Sequence, residues 1–301
     1  MTAIGMAAHA KVNVFLRVLG RRDDGFHDVE TLVLPISLAD HVTVEPADGL
    51  TVSIQGPATT GVPADDGNLA MRAARALAGE AGGAEPLGAH ITIEKRIPVA
   101  AGLGGGSADA AATLLLLDEL WPTGLGRDGL TRVAASVGSD VSAMLLGEAA
   151  YARGRGDLVA PVIVQSTTWV VKPFPFGISA AEAYAWWDEG AATGPDPGAL
   201  IAATEAGDDA LLGSALFNDL QGPVAARHPE ISETIEAFTH AGALGAVMSG
   251  SGPTVAALCS FASARIVANA VPGSFVVDAP PRSAGPARID VGRETGPSGV
   301  V

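Results

Sequence analysis

Lys11 and Asn13 stand two residues apart in the apolar run Ala10-Lys-Val-Asn-Val-Phe-Leu16, a spacing that turns both side chains to one face of a strand. A lysine there is either exposed at an edge or buried against an acidic partner. Asp140, in Gly138-Ser-Asp-Val141, is a carboxylate behind two small residues, a run that suits a turn or a helix cap. Phe26 and His27 place an aromatic face and an imidazole side by side in a loop next to Arg21 and Arg22. A loop histidine of this kind is ordinarily solvated.

The segment from Pro98 to Ser107 reads Pro-Val-Ala-Ala-Gly-Leu-Gly-Gly-Gly-Ser and runs directly into Ala108-Asp-Ala-Ala-Ala112. Gly102, Gly104, Gly105 and Gly106 leave backbone that can take positive φ and curl its N–H groups around an anion. The alanines and leucines that follow are strong helix formers, so the loop ends at a helix N-terminus that favours phosphate. A Walker A loop would need Lys then Ser or Thr after the last glycine, whereas Ser107 and Ala108 stand there. A dinucleotide fingerprint counted from Gly102 would put its third glycine at Ser107, and Asp118 lies inside the helix pattern. A second glycine loop, Met248-Ser-Gly-Ser-Gly-Pro-Thr254, is either a second cradle or a plain tight turn.

Elements must hold these groups in place. Strands are expected at His9–Leu19, between Val29 and Val44, at Leu50–Gln55, His90–Ile97 and Thr168–Lys172, and within Ala246–Cys259. Further strands are expected near Phe275–Val277 and Ala287–Val291, and a frayed tail from Arg293. Asn68 can cap a helix over Leu69–Glu80. Other helices are expected at Ser107–Leu120, stopped by Trp121-Pro122, and at Leu130–Val137, Ser179–Glu189, Ile231–Ala241 and Phe261–Ala270. Strands come first and helices are grouped, which points to two α+β domains with the glycine loops facing a cleft between them.

Composition narrows the class. The chain has 301 residues and a net charge of −15, against nucleic-acid binding, where a basic face is expected. Mean hydropathy is +0.32, yet no uncharged apolar run reaches a membrane span, and the N-terminus predicts no signal peptide. The single cysteine, Cys259, lies in an apolar run and fits a reducing cytoplasm. Only Lys11, Lys95 and Lys172 are lysines, so each marks a position worth weighing.

The pattern Pro-x-x-x-Gly-Leu-Gly-Gly-Gly-Ser-x-x-Ala-Ala over residues 98–111 resembles the phosphate loop of the GHMP kinases. Lys-x-Asn-x-x-Leu from Lys11, Asn68-Leu69, Gly138–Val141, Asn218-Asp-Leu220 and Met248–Thr254 fall in that superfamily's order, so the resemblance covers residues 8 to about 260. Arg22-Asp-Asp-Gly-Phe-His27 resembles the branch whose substrate is a cytidine-diphosphate-linked methylerythritol. The resemblance implies an α+β fold of two domains: a ribosomal protein S5 domain 2-like domain over 1–159 and a ferredoxin-like one over 160–301. It implies ATP-dependent phosphorylation of that substrate's 2-hydroxyl, with Mg²⁺, on the non-mevalonate route to isoprenoid precursors. Lys11 and Asp140 would be catalytic; Asn68, Leu69, Lys95, Gly102, Gly104, Gly105, Gly106, Ser107 and Ala108 would bind ATP. Asn13, Phe26, His27, Ser249 and Gly250 would bind the substrate, with Tyr184, Phe174 or Phe176 opposing Phe26. The resemblance implies neither nucleic acid nor membrane as partner, and a monomer or homodimer. Homoserine and mevalonate kinases are alternatives within the superfamily, but they lack Asp-Gly-[Tyr/Phe]-His and usually read Gly-Leu-Gly-Ser-Ser in the loop. A catalytically idle nucleotide-binding regulator is the third reading, and the presence of Lys11 and Asp140 argues against it.

Overall fold

The computed structural model describes residues 3–82, 87–121, 123–190 and 192–280. The strand expected at Ala287–Val291, the tail from Arg293 and the stop at Pro122 lie outside the described residues.

A long hairpin organises the first half. β1 (Ile4–Arg21) and β2 (His27–Pro46) pair antiparallel over nearly their whole length, with Arg21 opposite His27. Both strands run longer than the sequence suggests, because hydrophobic runs alone do not mark where a hairpin's polar ends stop pairing. The rest of this half is β3 (Leu50–Gln55), α1 (Leu69–Glu80), β4 (Ala89–Glu94), α2 (Gly105–Leu120), α3 (Gly126–Val137), α4 (Ser139–Leu146), β5 (Ala150–Gly154) and β6 (Leu158–Pro161). β2 is long enough for two neighbours on one edge: β4 against His41–Pro46 and β5 against Val29–Val33.

α1 forms because Ala70, Met71, Ala73, Ala74 and Leu77 make one buried stripe and the Asn68 side chain accepts the N–H of Ala70 at 2.9 Å. α2 is apolar nearly all round and is buried between the sheet, α1 and α4. That burial fixes the helix end that follows the glycine loop.

The second half carries β7 (Thr167–Lys172), α5 (Ala180–Asp188), α6 (Gly198–Ala206), α7 (Asp209–Ala215), β8 (Phe217–Asn218), α8 (Gln221–Ala225), α9 (Glu230–His240), β9 (Gly245–Met248), β10 (Val255–Cys259), α10 (Ala264–Ala270) and β11 (Phe275–Ala279). Four of its five strands form an antiparallel sheet in the order β11-β7-β10-β9. Counting those strands along the chain gives 4-1-3-2, with helices between the first and second and between the third and fourth, a ferredoxin-like arrangement. Alternation divides its faces. Trp169, Val171, Ala256 and Leu258 pack toward the hairpin residues Val12, Val14 and Leu34, while Val170, Val255 and Ala257 pack toward Ile231 and Phe238.

The halves are not separable along the chain. The boundary expected between residues 159 and 160 falls inside β6, which pairs with β5. β8, far along the second half, joins the first sheet parallel to β1 through Phe15 and Leu16.

Candidate active site

The hairpin register slips between His9 and Lys11 and again between Asn13 and Phe15, so Lys11 and Asn13 sit between two irregularities. Such bulges re-aim side chains, and they are common beside active sites. Lys11 is buried, and its ammonium donates to the Asn13 carbonyl oxygen and lies 3.3 Å from Asp140 Oδ2. The acidic partner that burial of this lysine demands is therefore Asp140, which itself is 45% exposed toward the cavity. Asp140 stands in the first turn of α4 rather than in a free turn, because Gly138 starts the helix. Asn13 Nδ2 donates to Thr31 Oγ1 at 2.8 Å, which fixes the amide so that its oxygen faces Lys11.

The two glycine loops close on this pair. Lys11 N–H donates to Leu103 O, Asn13 N–H to Ser249 Oγ, Ser249 Oγ to Gly102 O, and Thr254 N–H to Ala101 O. Gly104 has φ 68, and a Cβ there would fall 2.6 Å from Met144 Cε and 3.0 Å from Lys11 Cγ. Left-handed backbone and close approach both demand glycine at that position. Gly102 shares the positive φ, whereas Gly105 is already the first residue of α2. Ala100 takes φ 52 in the same loop, a strained conformation of a kind that collects at ligand clamps.

Two cavities meet at this loop, and Gly102, Gly104 and Ser107 line both. The smaller, about 310 Å³, is bounded by Asn68, Leu69, Ile97, Val99, Gly105 and Gly106. The N–H groups of Gly105, Gly106 and Ser107 precede the first intrahelical bond, which runs from Ala108 N–H to Gly104 O. Ala108 therefore has no free N–H and stands behind the wall. Lys95 borders this cavity, but its buried ammonium is held by Asp40 and, at 2.6 Å, by Asp109. Burial pushes the Asp109 carboxyl up to about 7, with Lys95 opposing the rise and Asp40 adding to it. Asp109 lies past the first turn of α2 and answers Lys95 rather than the helix dipole. Asp40 also accepts the N–H groups of Arg96 and Ile97 at 2.5 and 2.8 Å, which anchors the entry to the loop.

The larger cavity, about 610 Å³, runs from Lys11, Asn13 and Asp140 to an aromatic end. There His27 stacks on Tyr184, with centroids 4.7 Å apart and planes 16° apart, and meets the edge of Trp187. Phe26 is half exposed on the rim, with the Arg155 guanidinium 5.0 Å above its ring. Of the three aromatics expected to oppose Phe26, only Tyr184 lines this cavity; Phe174 packs on Phe176, and Phe176 stacks on His228. Gly250 and Ser251 form part of the lining, whereas Ser249 is fully buried behind it, its hydroxyl bridging the loops. Arg21, Arg155 and Lys11 supply positive charge here in a chain of net charge −15. Composition gave no sign of Asp188, which accepts from His27 at 2.8 Å; the signal was its position four residues after Tyr184 on one helix face.

A family model described as the GHMP kinases N terminal domain matches residues 68–148, and one described as GHMP kinases C terminal matches residues 200–277. The chain is 44% identical over 279 residues to a 4-diphosphocytidyl-2-C-methyl-D-erythritol kinase of Kineococcus radiotolerans, covering 89% of this chain and 85% of that one. A crystal structure of 4-(cytidine 5'-diphospho)-2C-methyl-D-erythritol kinase superposes with a TM-score of 0.76 at 35% identity, covering 91% of this chain and 98% of the other. A homoserine kinase from Cytophaga hutchinsonii has the same fold, with a TM-score of 0.71 at 20% identity over 96% of this chain and 98% of its own.

Proposed function

The chain belongs to the GHMP kinase family, and from that premise we propose that it transfers the γ-phosphoryl group of ATP to the 2-hydroxyl of 4-diphosphocytidyl-2-C-methyl-D-erythritol. The observation that carries this reading is the meeting of the two cavities, with the Lys11–Asp140 pair on the acceptor side and a base-sized aromatic end beyond it. ATP lies in the smaller cavity, its adenine toward Asn68, Leu69 and Lys95 and its phosphates on the free N–H groups of Gly105, Gly106 and Ser107. The acceptor lies in the larger one, its hydroxyl near Asn13 and Asp140 and its cytosine near Phe26, His27 and Tyr184.

Asp140 takes the proton of the 2-hydroxyl as that oxygen bonds to the γ-phosphorus, and the bond from phosphorus to the β,γ-bridging oxygen breaks to release ADP. The Lys11 ammonium, 3.3 Å from Asp140, steadies the carboxylate beside the acceptor and offsets phosphoryl charge during transfer. Ser107, which lines both cavities, and Asp140, which lines the larger, carry oxygen donors that would hold Mg²⁺, and the ion would neutralise phosphate charge there. Among the described residues no helix is long and apolar enough to cross a membrane. The cytoplasm suits a chain whose one cysteine, Cys259, is buried with its thiol pushed up to about 11.

A coupled kinase assay tests the reading, with the cytidylyl substrate, free methylerythritol phosphate, mevalonate and homoserine as acceptors. Only the first should turn over well. His27→Ala and Phe26→Leu should each raise its KM by about one to two decades, since a lost base-edge hydrogen bond or stacking face costs roughly 1–3 kcal/mol, and leave the KM of ATP unchanged. Preference for mevalonate or homoserine would overturn the assignment.

A further inference from the structure

We propose that Asp188 sets base specificity by fixing the tautomer of His27, so that the cavity accepts a pyrimidine presenting an amino group and disfavours one presenting a carbonyl in its place. The proposal rests on the reading of this cavity end as the base subsite.

His27 Nε2 lies 2.8 Å from Asp188 Oδ1. A carboxylate has no proton to give, so the hydrogen in that contact belongs to Nε2. Arg21 Nη1, 3.8 Å from Asp188 Oδ2, forms an ion pair with the other oxygen of the same carboxylate. In a neutral imidazole with Nε2 protonated, Nδ1 is a bare acceptor. Among the described residues Nδ1 has no hydrogen-bond partner, although the ring is buried and lines the cavity. The ring is also held in plane and orientation, with Tyr184 stacked on one face and Trp187 edge-on at 5.9 Å. All three restraints come from α5, on which Tyr184, Trp187 and Asp188 share one face.

An acceptor fixed in this way discriminates by chemistry. The exocyclic amino group of cytosine donates to Nδ1, whereas the corresponding carbonyl of uracil sets acceptor against acceptor. That mismatch leaves both groups without a partner, which lowers affinity by about tenfold or more.

The test uses the full-length enzyme with ATP and three acceptors: the cytidylyl substrate, its uridylyl counterpart and base-free methylerythritol phosphate. The wild type should favour cytidylyl over uridylyl by about tenfold or more in kcat/KM. Asp188→Asn, whose amide can either give or take a hydrogen, should bring that ratio close to one through the KM of the cytidylyl substrate, with the KM of ATP unchanged. A merely structural role would weaken both acceptors alike, and an unchanged ratio in folded Asp188→Asn overturns the proposal. Nitrogen-15 NMR of the wild-type imidazole, assigned by its loss in His27→Ala, gives a second readout that needs no variant at position 188 and no substrate. A protonated Nε2 with a bare Nδ1 supports the proposal, and a protonated Nδ1 overturns it. A wild-type cytidylyl-to-uridylyl ratio near one also overturns the proposal, whereas equal turnover of base-free methylerythritol phosphate removes the substrate assignment itself.

Discussion

Two carboxylates in this site face lysines and do different work, and the difference is burial. Asp140 is partly open to the acceptor cavity and can exchange its proton with a bound hydroxyl. Asp140→Asn should lower kcat by roughly 10²–10⁴-fold while leaving ATP affinity nearly intact, as read by single-turnover kinetics and calorimetry with a non-hydrolysable analogue. Near-normal turnover would leave Lys11 to act by positioning alone. Asp109 is sealed in with Asp40 and Lys95, so one ammonium serves two carboxylates. Its pKa is raised from 3.8 to about 7, so the folded protein binds a proton there that the unfolded chain has already lost between those values. Stability contributed at this position is present at low pH and falls as pH rises through that window. Asp109→Asn mimics the protonated acid. Its melting temperature should match the wild type only near pH 3.5, lie above it by pH 5 and exceed it further near pH 8, and an equal loss throughout would sink the idea. Lys11 was readable because a lysine on an apolar strand requires a partner, whereas the family resemblance, not the local run, singled out Asp140. The sequence hid Asp40, since a single acid in Leu38-Ala-Asp-His41 looks like any strand residue turned to solvent.

At the scale of elements, α5 is the piece on which the base end depends. Ser179 and Glu182 form a capping box at its start, with Ser179 Oγ accepting from Glu182 N–H and the Glu182 carboxylate accepting from Ser179 N–H at 3.0 Å. Ser179→Ala should cost about 1 kcal/mol of stability and raise the KM of the cytidylyl substrate more than that of ATP, which denaturant titration and initial rates would show. The opposite selectivity belongs to the phosphate loop. Gly104→Val puts a branched side chain on left-handed backbone against Met144 and Lys11, so ATP binding should weaken by about tenfold or more in a folded protein. Unchanged affinity would place the phosphates elsewhere. α1 with its Asn68 cap is the helix over Leu69–Glu80 that the residues led one to expect, because capping and periodicity are local signals. The start of α4 was not legible, since Gly138-Ser-Asp reads identically as a turn until the buried Val141 and Ala143 hold it against α2 and α3. Nor was β8, a two-residue strand whose pairing depends on residues about two hundred positions away.

On the scale of the whole molecule, the halves are joined at the site rather than merely packed beside it. Asn218 donates to Met248 O and Gly250 O, both at 2.7 Å, and the strand carrying it pairs with β1. A chain tied in this way should unfold in one step. Far-UV circular dichroism, which averages both sheets, should coincide with fluorescence, to which Trp169, Trp186 and Trp187 of the second half contribute alongside Trp121 of the first. Separate midpoints would show independent domains. The loop Ser249–Thr254 closes on Lys11 and Asn13, residues made about 240 positions earlier in synthesis. On the ribosome, the first half can therefore emerge with its hairpin and Lys11–Asp140 pair in place while the wall that seats them is still unmade. A nascent chain of that length has no closed site in which to squander ATP, and competence arrives only as the last quarter of the chain leaves the exit tunnel.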